Sequence, residues 1–260
     1  GRAVAMENGD FKQASSIFSD YGIKTFALKS DKNGAVLDEL EKSGADVLFL
    51  QPSALSKISV TGLAARRNGF INWAEAESKR LIIEDDYNGE LRYTARSVTA
   101  FQAVYPEKTV YIGSFSKLLL PSVRIAYMVL PPFLCERFVK RRDIYNQTCG
   151  KVEQLALKEY IETGALEKHL RRLRKLYSEK SRVFCRVLSE LLPNNRYVLY
   201  ESALTAAVKV CGSADEIYKT ARNAGIALAK TDKSDEIRLC FAGIAEKDIY
   251  PALKALTECL

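Results

Sequence analysis

The 260-residue chain contains one histidine, His169, and that scarcity excludes a great deal. A Ser-His-Asp or Cys-His hydrolase would have to rest its general base on this single residue. Zinc sites are equally poorly served. Six cysteines (Cys135, Cys149, Cys185, Cys211, Cys240 and Cys259) are scattered without a Cys-x-x-Cys pair, so no metal centre is expected. Scattered thiols of this kind predict a reducing, cytoplasmic setting rather than a disulfide framework. Long apolar runs are missing too. The best of them, IAYMVLPPFLC, is cut by Pro131 and Pro132, well short of the ~20 residues a bilayer span requires, so no membrane embedding is expected. The opening GRAVAMENGD has neither the zones of a signal peptide nor an initiator methionine, and it reads as a chain that begins inside a fold. No internal repeat or low-complexity tract is visible.

What is present describes a soluble globular protein: 47% of residues are hydrophobic and 27% charged. The length suffices for one large domain, or for a large and a small one. The net charge of +7 has its densest source in ALEKHLRRLRKLYSEKSR, residues 165–182. Leu166, Leu170, Leu173 and Tyr177 recur there at helical spacing, leaving Arg171, Arg172, Arg174 and Lys175 mostly off the apolar stripe. A solvated amphipathic helix accounts for the pattern, with His169 on its surface. A nucleic-acid-binding module would rest on charge alone.

Along the first half, short apolar runs alternate with helical stretches. FKQASSIFSDYG reads as a helix closed by Gly22, IKTFALK as a strand, VLDELEKSG as a helix closed by Gly44, and ADVLFLQ as a buried strand. A helix over residues 72–79 precedes two more strands, RLIIED and KTVYIGS. Apolar runs bounded by turns are the pattern of parallel strands buried on both faces, so the fold class is α/β with a mainly parallel sheet. About sixty residues of helical periodicity follow Pro132. Strands YVLYE, TAAVKV, IALAK and EIRLCFA, with helices ADEIYKTARNAG and AEKDIYPALKALTECL, then predict a small C-terminal α+β domain. The expected division is a large domain over 1–132, a helical connection over 133–192 and a small domain over 193–260.

Ligands of open parallel sheets sit beyond the carboxyl ends of the strands. RLIIED runs into Glu84, Asp85, Asp86 and Tyr87, and KTVYIGS runs into Ser114, Phe115, Ser116 and Lys117. Asp85 and Tyr87, two residues apart in extended chain, project to one side. Pyridoxal phosphate suits this collection: an aldehyde for the lysine, a pyridine nitrogen for a carboxylate, a phenolic oxygen for a tyrosine, and a phosphate for hydroxyls and Arg124. Arg124 can meet the phosphate with paired, charge-assisted hydrogen bonds.

The runs IIEDDYNGELRY, YIGSFSKLLLPSVRIAYMVLPP and EYIETGALEKHLRRLRKLYSEK together resemble the effector domain of the MocR/GabR-type transcriptional regulators of the GntR family. The resemblance runs from about Val4 to the end of the chain. It implies a fold type I, aminotransferase-like domain, joined in the full-length protein to an N-terminal winged helix-turn-helix that binds DNA, and a homodimer. By the same resemblance Lys117 is the Schiff-base lysine, Asp85 the partner of the pyridine nitrogen and Tyr87 the partner of the phenolic oxygen. Ser114 and Arg124 are phosphate ligands, with Ser116 beside them. Phe11, in ENGDF, stands for the tyrosine that stacks on the ring, and Arg238, in EIRLCFA, for the arginine that holds a ligand carboxylate.

Departures from the family pattern are as definite. Its S-H-Q-x-P-T-G loop is replaced by ALSKISVTG, its Gly-Leu-His segment by ALTAAVK, and Cys240 stands where glycine is usual. Its Gly-Ser/Thr-Gln phosphate loop falls before Gly1, so the resemblance implies an N-terminally truncated domain in which occupancy by the cofactor is in question. Two functions remain open. One is a regulatory module sensing pyridoxal phosphate or a small amino compound. The other is an aminotransferase acting on an amino acid, with Lys117 moving the proton and Arg238 anchoring the carboxylate.

Overall fold

The computed structural model describes residues 2–7, 12–31, 34–52, 60–87, 89–91, 93, 99–192, 197–200, 204–229, 231 and 234–260. The chain divides into two units, one comprising Gly1–Glu90 and Arg96–Gly164, the other Leu91–Ala95 and Ala165–Leu260. In the first unit the strands are β1 (Ala3–Glu7), β2 (Lys24–Leu28), β3 (Ser30–Asp31), β4 (Gly34–Ala35), β5 (Val47–Leu50), β6 (Leu81–Asp85), β7 (Thr109–Ser114) and β8 (Ala126–Val129). Its helices are α1 (Lys12–Asp20), α2 (Leu37–Ser43), α3 (Val60–Glu75), α4 (Phe101–Val104), α5 (Pro132–Val139) and α6 (Lys151–Glu162).

Six of these strands form one sheet in the order β2-β1-β5-β6-β7-β8. Every pairing is parallel except that of β8, which runs antiparallel to β7. Alternation along the strands fills both faces. Ala5, Leu48, Leu50 and Ile82 pack with Leu40, Phe70, Trp73 and Phe101 from α2, α3 and α4. Val4, Met6, Val47, Phe49 and Leu81 pack with Ala14 and Phe18 of α1 and Leu134 of α5. Burying one side chain of the size of Phe70 contributes about 1.5–3 kcal/mol, so this two-sided core is what holds the strand ends in register.

Local signals set the helix ends. At Gly22, φ is +69°, and the N–H of Ile23 donates to the carbonyl of Phe18 at 2.9 Å. This is the left-handed closure that glycine adopts without strain. The helix expected over 72–79 instead begins at Val60 and ends at Glu75. Its final carbonyls are claimed early: Arg80 donates to Trp73 O at 3.0 Å, and the Lys108 ammonium to Ala74 O at 2.6 Å. With those acceptors occupied by side chains, the chain turns into β6.

The second unit contains α7 (Ala165–Leu191), β9 (Tyr197–Tyr200), β10 (Thr205–Lys209), α8 (Ala214–Asn223), β11 (Glu236–Cys240) and α9 (Ile249–Thr257). Its antiparallel sheet has the order β11-β10-β9. Phe184, Val187 and Leu188 of α7, Ile217 of α8 and Ile249, Leu253 and Leu256 of α9 bury against Ala206, Val208, Ile237 and Leu239. The IALAK segment differs from its expected strand: among the described residues it makes one bridge, Ala229 to Arg238. Tyr218 explains this. Its hydroxyl donates to Ala229 O at 2.8 Å and accepts the N–H of Thr231 at 3.2 Å, so a phenol occupies the position of a ladder partner.

Candidate functional site

Because β5, β6 and β7 are parallel neighbours, their carboxyl ends lie side by side, and the polar residues that follow each apolar run are delivered to one edge of the sheet. Asp85 closes β6 and is 8% exposed. Its Oδ2 accepts the side-chain amide of Gln51 at 2.7 Å, from the end of β5. Burial raises the Asp85 pKa, the Gln51 hydrogen bond draws it back down, and the Asp86 carboxylate raises it again. The site therefore holds a carboxylate at an apolar strand end with one oxygen fixed by an amide.

Lys117 follows β7 on a tight turn. The N–H groups of Leu118 and Leu119 both donate to the carbonyl of Phe115, at 3.1 and 2.9 Å, and the Phe115 N–H donates to Ile125 O at 3.0 Å. The turn holds the exposed Lys117 ammonium 5.7 Å from the centroid of the Tyr87 ring. Ser114 Oγ accepts the backbone N–H of Ser116 at 3.1 Å, so these two hydroxyl residues share the same bend. Arg124 is exposed and left-handed, with φ 49° and ψ 43°. That conformation costs a non-glycine residue roughly 1–2 kcal/mol. Strain of this kind persists where the surroundings fix a residue for a task.

Five positions named from the sequence are thus brought to neighbouring strand ends: Asp85, Tyr87, Ser114, Ser116 and Lys117, with Arg124 heading β8. Phe11 lies outside the described residues. Arg238 belongs to the second unit, in mid β11, where its guanidinium is 3.9 Å from the buried carboxylate of Glu236 on the same strand face.

Three residues around this edge were given no role from the sequence. Gln51 is the first; its signal was a polar residue closing the apolar run ADVLFLQ. Glu84 is the second: it is 2% exposed and turned to the opposite face of β6 from Asp85, toward α4. It accepts the backbone N–H of Gln102 at 3.2 Å. Burial pushes its pKa up to about 7 against the N–H groups of Phe101 and Gln102; Asp86 adds to the rise and Arg67 opposes it. The third is Tyr111, whose hydroxyl donates to Asp86 Oδ2 at 3.4 Å and whose pKa is raised by burial and by that carboxylate.

No family model matches the chain. An uncharacterized HTH-type transcriptional regulator of Bacillus subtilis (strain 168), YhdI, is 30% identical over 267 residues, covering 98% of this chain and 57% of that protein. The probable rhizopine catabolism regulatory protein MocR of Rhizobium meliloti is 29% identical over 180 residues, covering 69% of this chain and 36% of that protein. The chain thus spans about half, or less, of the length of these relatives. Among solved structures, the α-aminoadipate aminotransferase LysN of Thermus thermophilus, complexed with N-(5'-phosphopyridoxyl)-L-leucine, matches with a TM-score of 0.84 at 21% identity, covering 100% of this chain and 71% of that one. The fold is that of the fold type I aminotransferases.

Proposed function

We propose that this chain, a relative of the MocR-type regulators with an aminotransferase-like fold, is the ligand-sensing part of a transcriptional regulator and takes pyridoxal phosphate on Lys117. The observation that carries the reading is the convergence of two pairs at neighbouring strand ends: Gln51 with Asp85, and Tyr87 with Lys117. Such a donor set fits that cofactor. A buried carboxylate with one oxygen held by an amide offers the other to a protonated ring nitrogen, and an amine beside a phenol meets an aldehyde flanked by a phenolic oxygen. Ser114, Ser116 and Arg124 supply hydroxyl and guanidinium donors for a phosphate.

When bound, the cofactor supplies an aldehyde that captures amines and a ring that draws electrons from the captured amine. The protein's residues do the rest. Asp85 keeps a proton on the ring nitrogen, and Gln51 keeps Asp85 oriented. The Lys117 amine would hold the aldehyde and, when free of it, would hold or move a proton. In a regulator, occupancy of Lys117 would be the signal, and the effector would be pyridoxal phosphate itself or a small amino compound. DNA contact through an upstream winged helix and a homodimeric state belong to the same proposal, as does a cytoplasmic location. Among the described residues no helix is long and apolar enough to cross a membrane.

A second reading, a transaminase acting on an amino acid, is favoured by the likeness to LysN over the whole of this chain. It differs in outcome: the amino compound would be converted and released, rather than retained as a signal.

The test uses the full-length protein containing this chain. Pyridoxal phosphate should give a yellow chromophore, and borohydride reduction followed by peptide mapping should locate the cofactor on Lys117. Lys117→Ala should abolish the adduct, whereas Asp85→Asn should keep it but shift its absorption. Reduced cofactor on another lysine, or on none, overturns the proposal. Multiple turnovers with an amino acid and a keto acid would favour the transaminase.

A further inference from the structure

On β11, alternation sends Ile237 and Leu239 into the core of the second unit and puts Glu236 and Arg238 together on the other face of the strand. Glu236 is 5% exposed, and the Arg238 side chain 20%. The Arg238 guanidinium lies 3.9 Å from Glu236 Oε1. A carboxylate drawn this far out of water needs a compensating charge close by. Two cations are placed for it. Lys209 stands opposite Glu236 on β10 but is exposed to solvent, whereas Arg238 is half-buried beside it on the same strand.

The backbone holds the two charges together. Arg238 is paired with Ala207 on β10 and bridged from its other side by Ala229, whose N–H donates to Arg238 O at 3.0 Å. Both neighbours end at Cβ, so neither carries a charge that could serve Glu236 in place of the guanidinium. Turning the guanidinium wholly toward a ligand would leave a buried carboxylate uncompensated, which costs far more than the pair contributes.

A ligand carboxylate brought to Arg238 therefore meets a pair whose formal charge is already zero, with Glu236 as a like charge beside it. Juxtaposed like charges reject a partner without any steric clash. An amine of the same length that lacks the carboxylate escapes the penalty.

We infer that Glu236 determines the ligand class: with Arg238 already compensated, the protein takes up amines that lack a carboxylate in preference to amino acids. For capture of the amine on Lys117 the inference rests on the reading above. The state of Arg238 does not depend on it.

Two measurements on the full-length protein test the inference. The first needs no cofactor: phenylglyoxal modification of Arg238 is quantified by peptide mapping, with and without pentanoate. Pentanoate should give no protection in the parent or in Glu236→Asp, which keeps the charge, and should protect Arg238 in Glu236→Gln. The second follows the chromophore of the cofactor-loaded protein during titration with pentylamine and with norleucine, which differ only by the carboxylate. The parent should bind pentylamine about tenfold more tightly, and Glu236→Gln should bring the two to within about twofold. Protection by pentanoate in the parent, a parent that prefers norleucine, or an unchanged ratio in Glu236→Gln overturns the inference. The two parent measurements decide it even where Glu236→Gln does not fold. Intact capture on Lys117 together with protection in the parent would remove the inference and leave the sensing site. Absent capture, with protection only in Glu236→Gln, would remove the sensing site and leave Arg238 compensated by Glu236.

Discussion

Gln51 and Asp85, closing adjacent parallel strands, are joined by a 2.7 Å hydrogen bond from the amide to the carboxylate. The bond draws down a carboxyl pKa that burial raises. Gln51→Leu should therefore raise the Asp85 titration midpoint, measured by NMR of isotope-labelled aspartate carboxyl carbons. In the cofactor-loaded protein the same change should move the pH transition of the chromophore. An unchanged midpoint would mean that the bond does not form in solution.

Glu84 should make stability depend on pH in the direction opposite to an ordinary surface acid. Its pKa in the folded chain is about 7, above its usual 4.5. The protonated form is therefore the one that favours folding. This contribution is complete below about pH 4.5 and is lost as the pH rises through about 7, to a total of roughly 3 kcal/mol. Glu84→Gln keeps an acceptor for the Gln102 N–H and removes the titration. The variant should gain on the parent as the pH is raised from about 5 to 8. Urea unfolding followed by the fluorescence of Trp73, the chain's one tryptophan, reads this directly. A constant difference across that range would exclude Glu84 as the titrating group.

Arg124 should show stability and binding moving in opposite directions. Asparagine tolerates left-handed backbone better than arginine, so Arg124→Asn should unfold at a higher denaturant concentration, by an amount corresponding to about 0.5–1 kcal/mol. If the guanidinium holds a phosphate, the same variant should bind pyridoxal phosphate at least tenfold more weakly. Unchanged affinity would leave Arg124 without a role at the site.

Arg238 can be assigned by ligand class. If it anchors a carboxylate, Arg238→Ala should weaken amino-acid binding to the cofactor-loaded, full-length protein far more than binding of matched amines that lack a carboxylate. Equal losses would make the arginine a structural partner of Glu236, from which it lies 3.9 Å.

The sequence by itself determined the architecture and most of the edge on which the candidate site is built. Continuous apolar runs such as ADVLFLQ and RLIIED, short and bounded by turns, have the pattern of strands covered on both faces, and parallel strands bring their carboxyl ends together. Asp85 at the end of RLIIED, Tyr87 just after it and Lys117 just after KTVYIGS were therefore placed at that edge by the sequence alone. Tertiary structure alone decided the partners. The bond from Gln51 to Asp85 joins residues 34 apart in the chain, and no local periodicity encodes it. The acceptors that end α3 at Glu75 are taken by Arg80 and Lys108, the latter from the far side of β6, so the helix end was misread over 72–79. The IALAK strand was lost in the same way, to the hydroxyl of Tyr218. Glu84 looked like one more acid in EDDY until β6 turned it inward beneath α4. Burial is a property of the packed faces, and burial sets its proton affinity.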